Sequence, residues 1–147
     1  MKNILIPLEL TDSLLEQKII ETAISHAKQL NSKCWLIHVA DPNPEFIGID
    51  DGPKYIRDGL AKELREEHRK VQKISDLFDE HKIENEGLLI QGATLEMIQV
   101  EIKKLKIDFL ILGNKKHSFL DVFFKGSLTD SLVNEANIPI LLIPNNE

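Results

Sequence analysis

The sequence predicts an α/β fold, a doubly wound parallel sheet of five strands with helices on both faces. Two observations lead there. Short apolar runs take turns with longer stretches of helical period, and those runs are continuous rather than alternating, as in strands covered on both faces. Four β-α units and a terminal strand, joined by right-handed crossovers, then give a parallel sheet.

Ile4, Leu5, Ile6 and Leu8 mark the first strand. Thr11 or Asp12 can cap the helix that follows, and Ser13-x-x-Glu16 offers a capping box one step on. Leu15, Ile19, Ala23, Ala27 and Leu30 form its inner face, and Asn31-Ser32 ends it. Cys34 to Val39 is the second strand. Ala40 to Pro53 carries three of the six prolines with Gly48 and Gly52, and reads as a loop. A long helix follows, with Ile56, Leu60, Leu64, Val71, Ile74 and Leu77 or Phe78 as its apolar stripe. Lys62, Glu63, Glu66, Glu67, Arg69 and Lys70 mostly face water on this reading. Gly87 to Ile90 is the third strand, and the helix from Thr94 turns Leu95, Ile98, Ile102 and Leu105 inward. Phe109 to Leu112 is the fourth strand, Gly113 to Lys125 a loop, Ser127 to about Ala136 a short helix, and Pro139 to Ile143 the fifth strand.

At 147 residues, 42% hydrophobic and 29% charged, residues 1–147 fit one soluble globular domain. Aromatics contribute only 5%, so Ile, Leu and Val must build the core. The lone Cys34 excludes an intramolecular disulfide and reads as a buried small hydrophobe, in keeping with a reducing, cytoplasmic location. The apolar run at the N-terminus is too short for a signal peptide, and no run reaches the length of a membrane span. A net charge of −6 argues against a nucleic-acid-binding surface.

In doubly wound sheets ligands bind outside the carboxyl ends of the strands, where the winding reverses. After strand four, Gly126-Ser127 opens a helix, and a helix N-terminus offers N–H groups and partial positive charge to an anion. Lys115, Lys116, His117 and Lys125 add a basic cluster to an acidic chain. Other readings stand beside these: Ser127-x-x-Asp130 is also a capping box, and Gly113 can serve only to leave its strand.

Gly113 to Ser127 resembles the signature of the universal stress protein family, Gly-x2-Gly-x9-Gly-Ser/Thr, whose loop cradles ATP phosphates. Asn137-Ile138-Pro139-Ile140-Leu141-Leu142-Ile143-Pro144 is similar to the closing strand of that family, and Ile4-Leu5-Ile6-Pro7-Leu8-Glu9-Leu10-Thr11 to its opening one. His38-Val39 and Gln91-Gly92-Ala93 through Ile98 resemble two further family motifs, so the likeness runs the length of the chain in register. It implies a Rossmann-like or flavodoxin-like sheet of strand order 3-2-1-4-5. It further implies an adenosine pocket lined by Pro7, Leu8, Glu9 and Val39, with Leu112 and Gly113 beside it. Lys116, Gly126, Ser127 and Leu128 would surround the phosphates, with Thr129 a weaker candidate. The expected cofactor is ATP, with or without Mg2+, and the expected assembly is a homodimer through strand 139–143. Leu8, Val39 and Leu112 also read as core.

Two positions depart from the family pattern. Lys116 replaces the second glycine, at a cost if positive φ is needed there, or with a gain if its ammonium pairs with a phosphate. Glu9 replaces an aspartate, and its extra methylene moves the carboxylate by about 1.5 Å. No P-loop and no Rossmann glycine fingerprint occurs. The histidines at 26, 38, 68, 81 and 117 lack metal-ligand spacing. No catalytic residue is assigned. The chain is expected to bind an adenine nucleotide as a sensor or switch in stress response. The alternatives are a nucleotide-free dimeric interaction module and, more weakly, slow ATP hydrolysis or phosphorylation of Ser127 or Thr129.

Overall fold

A computed structural model describes residues 1–11, 13–40, 54–114, 132 and 135–145, with only the helical backbone described for 54–61. The elements run β1 (Lys2–Pro7), α1 (Leu14–Leu30), β2 (Ser32–Ala40), α2 (Lys54–Glu80), β3 (Asn85–Gln91), α3 (Thr94–Lys104), β4 (Phe109–Asn114) and β5 (Ile140–Pro144). The five strands form one parallel sheet of order β3-β2-β1-β4-β5, as the sequence predicts. The winding reverses at β1, whose neighbours are β2 on one side and β4 on the other.

The central stretches of the strands are apolar on both faces because their side chains enter two cores by turns. Ile4, Ile6, Leu36, Ile111 and Ile143 join Ile19, Ala23, Val71 and Phe78 in the core shared with α1 and α2. Leu5, Ile37, Leu110 and Leu112 pack with Ile98, Ile107 and Leu132 in the core on the α3 side. Leu132 and Glu135 are helical, and the rest of the helix expected from Ser127 lies outside the described residues until Ala136. The expected loop from 41 to 53 also lies outside them.

Several boundaries and faces differ from the sequence reading. Ser13, not Thr11 or Asp12, caps α1, its hydroxyl accepting from the Glu16 N–H at 3.1 Å. Leu30 is 47% exposed in the last turn, whereas Ile24 is buried. Asn31 closes α1 in the left-handed conformation with φ of 49°. In α2 Phe78 is the fully buried residue and Leu77 is exposed. The fourth strand continues to Asn114, because Gly113 pairs with Ile143 and Asn114 with Pro144. No helix among the described residues is long and apolar enough to cross a membrane.

Cys34 is fully buried, and burial pushes its thiol from 9.0 to about 12 because the thiolate would lose its solvation. The folded state therefore holds this proton more tightly than the unfolded chain. Its contribution to stability is complete below pH 9.0 and is lost as pH rises toward about 12. A thiol reagent at pH 8 is expected to leave the native protein unlabelled and to label it once urea unfolds it. Rapid labelling of native protein would show that Cys34 is reached by solvent.

Candidate functional site at the carboxyl edge of the sheet

The strand pairing parts β1 from β4 toward the carboxyl edge. The β1–β4 ladder pairs Ile4 with Phe109 and Leu5 with Leu110, while both strands run further, to Pro7 and to Asn114. On its other side β1 stays paired with β2 up to Pro7 and Ile37. β1 and β4 thus run past their shared ladder at the carboxyl edge, at the strand where the winding reverses.

The chain leaving β1 crosses this edge in a strongly constrained path. The Leu8 N–H donates to the Ile37 carbonyl at 2.8 Å, continuing the β1–β2 ladder by one residue. The Leu8 carbonyl accepts from His38 Nδ1 at 2.8 Å, which places the proton on that nitrogen. Leu10 then takes φ of 62°, a left-handed conformation that costs a non-glycine residue about 1 kcal/mol. Glu16 offsets it. Its carboxylate, on a residue 5% exposed, accepts from the Leu10 N–H at 2.9 Å and the Thr11 N–H at 2.7 Å. Lys70 of α2 adds a long contact of 3.5 Å from its ammonium to the Leu10 carbonyl. Glu9 sits at the centre of this path, half-buried, with the peptides on either side held.

The sequence-predicted site residues divide between the two cores. Val39 packs against the α3-side core, which includes Leu112, and Pro7 shares the face of Leu5 by strand alternation. Leu8, 4% exposed, turns its side chain into the opposite core, with Ile6 and Leu10. Gly113 lies in β4 where the strand approaches α1. A Cβ there would come within 2.8 Å of Ile19 Cδ1 and 3.1 Å of Leu15 Cδ2. Close packing on α1 is thus a second reason for glycine at 113, beside any contact with a ligand. Lys116, Gly126, Ser127, Leu128 and Thr129, with His117, lie outside the described residues.

Three residues of this edge were missed as contributors. The sequence pairs Glu16 with Ser13 alone, yet its carboxylate reaches past the cap to the loop. The sequence places Glu67 and Lys70 on a mostly solvated helix face. Glu67 Oε2 is instead sealed from solvent 3.4 Å from His38 Nε2, whereas Lys70 is exposed as expected and still reaches the Leu10 carbonyl in its long contact. The Ser13-x-x-Glu16 spacing was the one sequence signal pointing toward this loop. Among the described residues no group of three His, Cys, Asp or Glu is placed to hold a metal ion.

The model of the universal stress protein family matches residues 1–144 of this chain. A universal stress protein of Methanocaldococcus jannaschii is 27% identical over 144 residues, covering 97% of this chain and 81% of that protein. A family member from Arabidopsis thaliana, solved with AMP bound, superposes with a TM-score of 0.68 at 16% identity, over 99% of this chain and 93% of that one. A universal stress protein from Archaeoglobus fulgidus, solved in complex with dAMP, gives 0.68 at 11% identity, over 97% and 98%. At these identities the two structures share the fold.

The Glu16 carboxylate provides a direct test of how the edge is held. Glu16→Ala leaves two loop N–H groups without their charged acceptor and is expected to cost roughly 2–4 kcal/mol in urea unfolding. A loss within about 0.5 kcal/mol of wild type would show that the loop holds its path without it.

Proposed function

This chain belongs to the universal stress protein family, and from that premise we propose that it binds an adenine nucleotide, ATP first of all, at the carboxyl edge of its sheet. The observation that carries this reading is the crevice beyond the β1–β4 ladder, flanked by a loop held in place before any ligand arrives. AMP and dAMP in two structures of the same fold favour the adenine class.

The described residues fit the nucleoside half. Pro7 and Val39 offer apolar surface at the strand ends, with Leu112 and Gly113 on the far side of the crevice. Glu9 brings a carboxylate, an acceptor suited to the hydroxyl and amino donors of a nucleoside. The phosphates fall to Lys116, Gly126, Ser127 and Leu128, where a helix N-terminus and an ammonium suit a polyanion, with or without Mg2+. Leu8 contributes backbone rather than side chain, since its side chain fills the α1–α2 core. The function that follows is a cytoplasmic sensor or switch in stress response, with binding rather than turnover as its chemistry.

Mass spectrometry of the purified protein, native and then acid-released, is expected to find a co-purifying adenine nucleotide. Calorimetric titration of the emptied protein should give saturable ATP binding that Gly126→Val abolishes. Absence of both, with magnesium present, would overturn the reading in favour of a nucleotide-free interaction module.

β5 favours a dimer as the assembly. Among the described residues it is an edge strand with Leu142 40% exposed, and one row of its backbone groups has no strand beside it. A symmetric partner would cover that row and the leucine. Sedimentation at micromolar concentration is expected to give a dimer, and Leu142→Lys to shift it toward monomer with unchanged circular dichroism. A wild-type monomer would refute this assembly.

A further inference from the structure

We propose that His38 is a positioning residue of the nucleotide site, which orients the Leu8–Glu9 peptide by bridging it to Glu67 on α2. The inference rests on the nucleotide-binding reading for its consequence, though not for its geometry. His38 lies two residues from the carboxyl end of β2, and its ring spans two elements that share no covalent neighbour. Nδ1 donates to the Leu8 carbonyl at 2.8 Å, and Nε2 faces Glu67 Oε2 at 3.4 Å. The side chain of His38 is 14% exposed and that of Glu67 33%, and the facing oxygen of Glu67 is sealed from water with no hydrogen bond reaching it.

The two ring nitrogens are therefore not interchangeable. A carbonyl can only accept, so Nδ1 must carry a proton, and the ring cannot flip without losing that bond. Nε2 then faces the Glu67 carboxylate across 3.4 Å. The ring orientation in which Nδ1 faces Leu8 thus sets Nε2 toward α2. The carbonyl so held belongs to the same planar peptide as the Glu9 N–H, so fixing it fixes where the Glu9 Cα begins. Ile37 holds the N–H of Leu8, and Glu16 holds the N–H groups of Leu10 and Thr11. His38 supplies the remaining constraint next to Glu9. It also makes α2, which already touches Leu10 through Lys70, a lever on the site from a helix that carries none of the expected nucleotide contacts.

The chemistry suggests two variants with opposite expectations. Asparagine places its amide nitrogen where histidine has Nδ1, so His38→Asn keeps the donor to Leu8. His38→Leu removes it and leaves the carbonyl unpaired. Hydrogen exchange on the nucleotide-free proteins should show the amides of Leu8 to Thr11 exchanging about tenfold faster in His38→Leu, with those of β4 unchanged, and restored in His38→Asn. Calorimetry should show ATP bound about tenfold more weakly by His38→Leu and within about threefold of wild type by His38→Asn. Unchanged exchange at Leu8 to Thr11 in His38→Leu would overturn the positioning role. So would equal ATP affinities in wild type and His38→Leu, since a merely structural histidine lowers stability without touching the affinity of the folded protein. If wild type binds no adenine nucleotide, the functional reading fails and the exchange data still decide whether His38 orients the loop.

Discussion

The carboxylate of Glu16 holds the N–H groups of Leu10 and Thr11 just where the chain turns out of the sheet, and the rest of the carboxyl edge follows from that grip. A chain leaving a buried parallel strand has to satisfy its backbone groups without a neighbouring strand to receive them. Here it does so with side chains: Glu16 from α1, His38 from β2 and Lys70 from α2. Three separate elements converge on four residues. The left-handed φ at Leu10 is affordable because those bonds over-determine the path around it. The Ser13 cap belongs to the same arrangement, since it starts α1 at the point that brings Glu16 back over the loop.

The doubly wound topology explains why such a loop borders an opening. β1 pairs on both sides only as far as Leu5, after which it stays paired with β2 and parts from β4. One neighbour of β1 is reached through a crossover on one face and the other through a crossover on the opposite face, while α1 packs beneath, close against Gly113 of β4. The crevice is thus a property of the strand order, and the side chains around it decide only what it accepts. That division is in keeping with relatives that share the fold at 11% and 16% identity.

Much of this was legible because a parallel sheet leaves a plain mark. Continuous apolar runs gave five strands in the right places, and motif resemblance supplied their order. What escaped was tertiary. Leu30 fits the helical period but falls in the last turn, next to the left-handed Asn31, where there is little to cover it. Gly113 and Asn114 carry no strand propensity, and the strand includes them because Ile143 and Pro144 are there to pair with. Glu67 stands in a run of charges that reads as solvent-facing, and only the folded position of His38 shows why its Oε2 is turned inward.

The same reasoning bears on Glu9. Read as a change from aspartate, its extra methylene looks like a loss of fit, because it moves the carboxylate outward from an otherwise unchanged backbone. A side chain's reach is measured from its Cα, however, and the Cα of Glu9 is set by the bonds to Leu8 and Leu10 rather than by its own chemistry. Where both flanking peptides are held, the longer side chain adds one torsion but no uncertainty in its origin. The entropy of ordering that torsion is a fraction of the roughly 1.5–2 kcal/mol lost by a fully immobilised glutamate. A charge-assisted hydrogen bond is worth about as much. On the nucleotide-binding reading the substitution is compatible with a working site so long as Leu8 to Thr11 hold their path, so the bonds around that loop count for more than the identity of the acid.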